Sequence, residues 1–443
     1  MPSHLLPSFK KTSVEKTILV GLERAGSTRW ELLESLQELG ELARTAGAEV
    51  VEIVTQKLDH PSAPYYIGKG KAEELVSLAT QHEATSLIFD DELTPAQGRN
   101  LELLLSRKVL DRTQLILDIF AARARSREGR LQVELAQLQY LLPRLTRMWG
   151  HLSRQTGGIG TRGPGETQLE VDRRRVQERI SRLKEDLRGV RRVRTTQREG
   201  RLRRAWPLVS LVGYTNVGKS SLLNLLTRAE VLAEDKLFAT LDPTTRHFVL
   251  PNHQKILITD TVGFIRKLPH TLIESFKATL EEVELADLLI HVVDLSHPQY
   301  LEQIEAVEKI LAELGAAQKE TLLVFNKMDQ LPHPALLEKQ LSRFPGSVAI
   351  SALRGYGMKE FIAALQNRLA AKYTHGCYAL PPSESALLAK IYRAGYVTSL
   401  DYNEGMSIVH ATVSPELAQQ LKQFECIKLT SHSFKRMGKK IIV

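Results

Sequence analysis

Eight consecutive residues, Gly213, Tyr214, Thr215, Asn216, Val217, Gly218, Lys219 and Ser220, spell G-x-x-x-x-G-K-[ST]. An apolar strand pattern (208–212) runs into them and a helical pattern (221–226) follows. The glycines let backbone N–H groups wrap a chain of phosphates, and the helix N-terminus adds the positive end of its dipole. Lys219 supplies a point charge for the β- and γ-phosphates, and the Ser220 hydroxyl is placed to ligate Mg2+. Three further elements follow in order, each after a short apolar run. Asp260, Thr261, Val262 and Gly263 close the run 256–258; the acid can hold Mg2+ through water, and the Gly263 N–H can meet a γ-phosphate. Asn326, Lys327, Met328 and Asp329 close the run 321–325. N-K-x-D tells guanine from adenine, because Asp329 would accept from guanine N1–H and N2–H2, and adenine offers no such pair. Ser351, Ala352 and Leu353 close the run 348–350, where backbone can meet the base O6. The chemistry these residues predict is binding of GTP and GDP, and hydrolysis of GTP to GDP and phosphate, at the carboxyl ends of strands in an open, mostly parallel sheet.

Between the phosphate loop and Asp260 lie Phe238, Ala239, Thr240, Leu241 and Asp242, then Pro-Thr-Thr-Arg246. A proline and several threonines suit a loop whose hydroxyl closes on Mg2+ when a γ-phosphate is present, with Thr240, Thr244 and Thr245 as candidate ligands. After Gly263 comes Phe264, where many GTPases carry a glutamine that orients the attacking water. A phenyl ring cannot do that, so no catalytic residue is assigned, and slow intrinsic hydrolysis with acceleration by a partner or another element is expected. Asn216 could help hold K+ near the phosphates, or could simply shape the loop.

These motifs need elements to position them. Strand-like and helix-like runs alternate over 17–118, implying a small α/β domain around a parallel sheet: strands at 18–22, 49–54, 86–89 and 114–117, helices at 30–46, 71–79 and 95–105. Leu131, Leu135, Leu138, Leu142 and Leu145 then repeat at 4-3-4-3 spacing, as do Val176, Ile180, Leu183, Leu187 and Val190. Two narrow apolar seams predict an antiparallel helical hairpin, with Pro143 near the end of its first helix. Its connection carries GGIGTRGPGE (157–166), long, glycine-rich and arginine-bearing, which favours a contact element at the tip. Thr167 to Glu170 reads as a capping box opening the second helix. After the nucleotide domain, Pro381-Pro382 reads as a linker to a small α/β appendage, with a strand at 408–413 and a helix at 415–424. The expected division is 1–120 (N-terminal α/β domain), 121–205 (hairpin), 206–375 (P-loop GTPase domain) and 376–443 (C-terminal domain).

The chain has 443 residues and a formal net charge of +9. Fourteen basic residues against five acidic ones lie between Val171 and Trp206, so that one segment matches the whole excess. A concentrated basic stripe is the footprint of a nucleic-acid partner; local pairs such as Glu178/Arg182 are the plainer alternative. Nothing approaches a membrane span and no secretory leader is evident, which points to the cytoplasm. Cys377 and Cys426 are too few for a disulfide framework or a zinc site and read as inert thiols.

Taken together the residues resemble the HflX family of translational GTPases. The likeness rests on YYIGKGKAEEL (65–75), FDDELTPAQGRNLE (89–102), GGIGTRGPGETQLE (157–170), GYTNVGKS, FATLDPTTR, DTVGFIRKLPH (260–270) and NKMD. The resemblance implies association with the large ribosomal subunit and its rRNA, and splitting or rescue of stalled ribosomes under stress. The hairpin and its tip would touch rRNA near the peptidyl-transferase centre. It also implies that Thr240 is the switch threonine on Mg2+ and that residues 238–242 lie along the nucleotide. A regulator that uses GTP as a timer on some other RNA is the alternative. Nothing demands more than a monomer. Family members have been credited with ATP binding by the N-terminal domain, but Gly68-Lys-Gly-Lys71 reads more simply as a tight turn.

Overall fold

Three consecutive apolar residues, Ile18, Leu19 and Val20, suit a strand covered on both faces, and all three are at most 1% exposed in β1 (Glu15–Glu23). The computed structural model describes the chain except residues 1–13, 27, 146–163, 203–205, 228–236, 253, 268, 270–280, 332, 371–372, 404 and 427–443. It falls into two compact units. One comprises Met1–Gly189 with Glu234–Asp242 and Ile265–Ala278; the other comprises Val190–Ala233, Pro243–Phe264 and Thr279–Val443.

In the first unit β1 joins β2 (Ala48–Lys57), β3 (Ser86–Phe89) and β4 (Lys108–Asp111) in a parallel sheet of order β2-β1-β3-β4. Helices α1 (Arg29–Thr45), α2 (Lys69–Gln81) and α3 (Pro95–Leu105) carry the crossovers. Capping boxes open α1 at Thr28 and α3 at Thr94. The strand expected at 114–117 is instead part of a helix, α4 (Arg112–Arg123). Asp111 ends β4 and caps α4, accepting from the Gln114 N–H at 2.9 Å. Leu115, Ile116, Leu117, Ile119 and Phe120 are all buried, so the run is apolar nearly all round and shows no period that separates helix from strand. Buried Arg112 follows, donating to Asp90 at 2.9 Å and pairing with Glu38.

The two expected apolar seams pack together. Leu135, Ile180 and Leu183 are buried, with Leu131, Leu138, Leu142, Val176 and Leu187 against them, in α5 (Arg127–Leu145) and α6 (Pro164–Leu202). Arg179 makes a two-pronged bond to Glu134 at 2.7 and 2.9 Å. Helix α6 starts at Pro164, so Thr167 to Glu170 lies inside it and is not its cap. Proline needs no N–H bond in a first turn, which lets the helix begin earlier. Residues 157–163 of the glycine-rich stretch lie outside the described residues.

The second unit holds a six-stranded sheet of order β10-β9-β8-β5-β7-β6. Its strands are β5 (Leu208–Gly213), β6 (Thr244–Val249), β7 (Lys255–Asp260), β8 (Leu288–Asp294), β9 (Thr321–Asn326) and β10 (Val348–Ala349). All pairings are parallel except β6 on β7 at the edge. The chain is thus an α/β multidomain protein with a mostly parallel P-loop sheet, as the sequence implies. Helices α7 (Lys219–Thr227), α8 (Tyr300–Glu313), α9 (Pro334–Arg343) and α10 (Met358–Ala370) belong to this layer. A smaller antiparallel sheet follows, β11 (Thr374–Leu380), β13 (Met406–Val413) and β12 (Tyr396–Asn403) in that order, with α11 (Ser385–Ala394) and α12 (Pro415–Leu421). Its core includes Tyr378, Leu380, Ile391, Val409 and Leu417. Pro381-Pro382 is therefore no linker: it follows an edge strand of this sheet and leads directly into α11. No described helix is long and apolar enough to cross a membrane.

Candidate nucleotide site

The loop from β5 to α7 can take its shape only with glycine at two points. Gly213 has φ +148°, and a Cβ there would stand 2.2 Å from the Val292 carbonyl oxygen. Gly218 has φ +92°, and a Cβ would stand 2.3 Å from Asn326 Nδ2. Asn216 between them sits at φ 60°, a left-handed position that asparagine tolerates better than most residues. Val217 is buried and its carbonyl accepts from Asn326 Nδ2 at 2.7 Å. The other side of that amide, Oδ1, accepts from the Ala352 N–H at 2.9 Å. Asn326 therefore ties the phosphate loop to the Ser351-Ala352-Leu353 loop.

Lys219 is only 6% exposed. Its ammonium donates to the Tyr214 carbonyl at 2.7 Å and the Gly213 carbonyl at 3.2 Å. Burial lowers its pKa to about 8, with Asp260 opposing the shift. Ser220 Oγ donates to Asp260 Oδ2 at 2.6 Å. Thr261 Oγ1 is tied to the Leu211 carbonyl at 2.6 Å. Gly263 leaves the loop open: a Cβ would meet Thr215 Cα at 2.8 Å and Lys219 Nζ at 3.0 Å. Val262 is buried beside it. Phe264 is 2% exposed, and its main chain is bonded to the phosphate loop on both sides, accepting from Thr215 N at 2.8 Å and donating to Gly213 O at 3.1 Å. Its ring belongs to the core, which explains the apolar residue there.

At the carboxyl end of β9, Lys327 has φ 62° and its ammonium meets Asp294 at 2.6 Å. Met328 and Asp329 begin a short 3-10 turn, and the Met328 N–H donates to Ile350 O at 3.2 Å. Asp329 is exposed. Ser351 is buried, its Oγ accepting from the Arg354 N–H, and Leu353 is 77% exposed. The phosphate loop and the 260–263 turn thus follow adjacent strands β5 and β7, and the N-K-x-D turn and the 351–353 loop follow adjacent strands β9 and β10, across β8 in the same sheet and unit.

Family models match most of the chain: "GTP-binding GTPase N-terminal" over 33–121, "GTP-binding GTPase Middle Region" over 123–201 and "50S ribosome-binding GTPase" over 208–327. The GTPase HflX of Caldanaerobacter subterraneus subsp. tengcongensis is 49% identical over 88% of this chain and 90% of its own length. That of Escherichia coli K12 is 46% identical over 82% and 85%. This chain belongs to the HflX family. It is a P-loop GTPase.

In this HflX chain the residues 238–242 are packed within the other compact unit. Leu237, Phe238 and Leu241 are buried there, and the Phe238 ring meets Phe120 edge-on at 4.7 Å between centroids. Asp242 sits at the start of α5: its carboxylate accepts from the Arg125 and Ser126 N–H groups at 2.9 and 2.8 Å and from the Ser126 hydroxyl. Gly129 makes room, since a Cβ would stand 2.4 Å from Asp242 Oδ1. Ala239 and Thr240 are half-buried in the same segment. Thr244 and Thr245, read as loop residues, instead open the edge strand β6; Thr245 shares a hydroxyl hydrogen bond of 2.9 Å with Thr259. The segment beyond Phe264 docks within this first unit as well, with Lys267 between Asp90 and Asp91 and Arg266 3.7 Å from Glu34.

Sequence reasoning missed His291. It lies in the middle of β8, 3% exposed, and burial together with the Lys219 charge lowers its pKa to about 4. No motif surrounds it, and the strand reads as plain core. Because the folded pKa is below the ordinary value, the unfolded chain takes up the proton first, and stability falls as pH drops from about 6.5 towards 4. Between pH 7 and 5 the native protein should lose about 2 kcal/mol more stability than His291→Gln, by urea unfolding at both pH values. Equal losses would remove His291 as the titrating group.

Proposed function

We propose that this GTPase works on the large ribosomal subunit, splitting or rescuing stalled ribosomes, with guanine nucleotide setting when it binds. The observation that carries the nucleotide half is Lys219, an ammonium buried against the Gly213 and Tyr214 carbonyls of the loop, beside a Ser220 hydroxyl bonded to buried Asp260. A triphosphate is the charge that fits such a loop. Thr215 Oγ1 is buried without a hydrogen-bond partner among the described residues, and a phosphate oxygen suits it. In this reading residues 213–220 cradle the phosphates, residues 326–329 and 351–353 take the base, and Asp329 selects guanine.

Ser220 and Asp260 offer the hard oxygen donors that Mg2+ prefers, so the residues present fit that ion. Bound there, it would neutralise charge on the β- and γ-phosphate oxygens. Thr240 enters as a ligand on the sequence pattern alone. Lys219 would hold the same oxygens from the loop side, and the Gly263 N–H would donate to the γ-phosphate. Phe264 supplies no group to orient water, so intrinsic turnover is slow and a partner accelerates it. Asn216 favours K+ as a co-ion; equal turnover in K+ and Na+ buffers would remove that part.

The ribosomal half is supported by the 208–327 match to a ribosome-binding GTPase model and by the surface of α6. Arg173, Arg174, Arg175, Arg179, Arg182, Lys184 and Arg188 are all exposed there. Some of that charge is spent locally, as in the Arg174–Glu178 pair at 3.8 Å and the Arg179–Glu134 pair, but most of it faces solvent. We assign the function to a cytoplasmic monomer. In a sucrose gradient the protein should travel with the large subunit when a non-hydrolysable GTP analogue is present, and not with GDP. Absence from that fraction, with tight binding to unrelated RNA, would favour a GTP-timed regulator of other RNA.

A further inference from the structure

Both cysteines of this chain, 49 positions apart, come together at the outer edge of the C-terminal sheet. Strand β11 pairs with β13 on one side; on its other side Tyr378 forms an antiparallel bridge with Glu425. That register sets Cys377 directly opposite Cys426, and the Cys426 N–H donates to the Cys377 carbonyl at 2.7 Å. Directly opposed residues joined by such a bond have Cα atoms about 5.5 Å apart, in the middle of the range a disulfide spans. Opposed side chains lie on the same face of the pair, so the two thiols are cross-strand neighbours. Both residues are partly exposed, so a small oxidant can reach them. His410, opposite Cys377 on β13, is exposed beside them. Among the described residues no group of three or more metal-ligating side chains forms here, so a metal site does not compete for the pair.

We infer that Cys377 and Cys426 are a redox modification site, closed by peroxide to an intramolecular disulfide and reopened by thiols. Burial and the neighbouring Cys426 push the Cys377 thiol up to about 12. Attack needs a thiolate, and either sulfur of the opposed pair can supply it. One cysteine of the pair, as thiolate, cleaves the O–O bond of hydrogen peroxide; with one proton taken up, this gives its sulfenic acid and water. The sulfur of the other cysteine then attacks that sulfenic sulfur, forming the S–S bond and releasing a second water. Two electrons leave the pair and both peroxide oxygens end as water. In a reducing compartment such a pair rests open and closes only transiently. Closure would staple residue 426 to β11 and lock a loop of about 50 residues.

The test uses the full-length protein with hydrogen peroxide as probe. Under native conditions both thiols should become unreactive to an alkylating agent, the mass should fall by about 2 Da, and dithiothreitol should restore both. Either single serine variant should stop at a sulfenic acid that dimedone traps, because no second thiol is left to close the bond. Oxidation of the urea-unfolded chain should close the bond at least about tenfold more slowly, because the native register supplies the effective concentration. Persistence of two alkylatable thiols after treatment, a product linked between chains, or equal closure in urea would each overturn the assignment. The wild-type protein alone decides the main point if either variant misfolds.

Discussion

Replacing Lys219 by methionine is expected to abolish GTP binding while making the folded protein harder to unfold at pH 7. The ammonium is held in a 6% exposed position with a pKa near 8, against 10.5 for an ordinary lysine. Both folded and unfolded chains carry the charge at pH 7, but the fold tolerates it less by about 3 kcal/mol. The sign follows: a depressed lysine pKa means stability rises with pH between about 8 and 10.5, where only the unfolded chain still holds the proton. Methionine fills similar volume without that cost, and gives up the hydrogen bonds to the Gly213 and Tyr214 carbonyls, which are satisfied by a strong donor in the native chain. The net gain should be roughly 1–3 kcal/mol in urea unfolding. Binding moves the other way. Losing one charge from the β- and γ-phosphates should weaken GTP by about a thousandfold or more. Titration calorimetry and unfolding on the same sample read both arms, and a variant that binds GTP normally, or that is destabilised by several kcal/mol, would remove Lys219 from the centre of this site.

The second large effect is on the base. Asp329→Asn should weaken GTP by about 30- to 1000-fold and move preference towards xanthosine triphosphate. A carboxylate accepts from the two guanine donors; an amide can accept from N1–H with its oxygen, but its NH2 then faces guanine's own N2–H2 donor and suits xanthine, whose O2 accepts there. Asp329 is exposed in the protein, so the native pair gains strength only once the base covers it. Folding should be unaffected, since a side chain that stands in solvent on a short surface turn contributes little to the packed core. Unchanged discrimination between GTP and xanthosine triphosphate would place base selection elsewhere.

What could be read in the sequence, and what could not, divides along distance in the chain. The phosphate loop was legible because Gly213, Gly218 and Lys219 fall within seven residues and strand and helix patterns flank them. The double tie of Asn326 to Val217 and Ala352 was not, because it joins three loops through one amide. The run 114–117 failed for a different reason: α4 is buried on almost every side, so hydrophobicity has no period there, and only the Asp111 cap distinguishes it. The strand β6 was hidden by its composition, threonines and exposed polar residues at a sheet edge that resemble a loop. His291 and the Cys377–Cys426 contact carry no local signature, since each is defined by residues far off in sequence.

The interleaving of the two compact units has an engineering consequence. The backbone enters the first unit twice inside the nucleotide domain's own stretch, over Glu234–Asp242 and Ile265–Ala278. A fragment starting near residue 206 would carry Leu237, Phe238, Leu241 and Ile265, all buried in the whole chain, without Phe120 and Ser126 to receive the segment. Such a piece exposes a sticky apolar strip in place of a finished surface. The GTPase half of this protein is therefore not a portable cassette: transplanting it into another protein means carrying its front half along, or redesigning those four side chains for water.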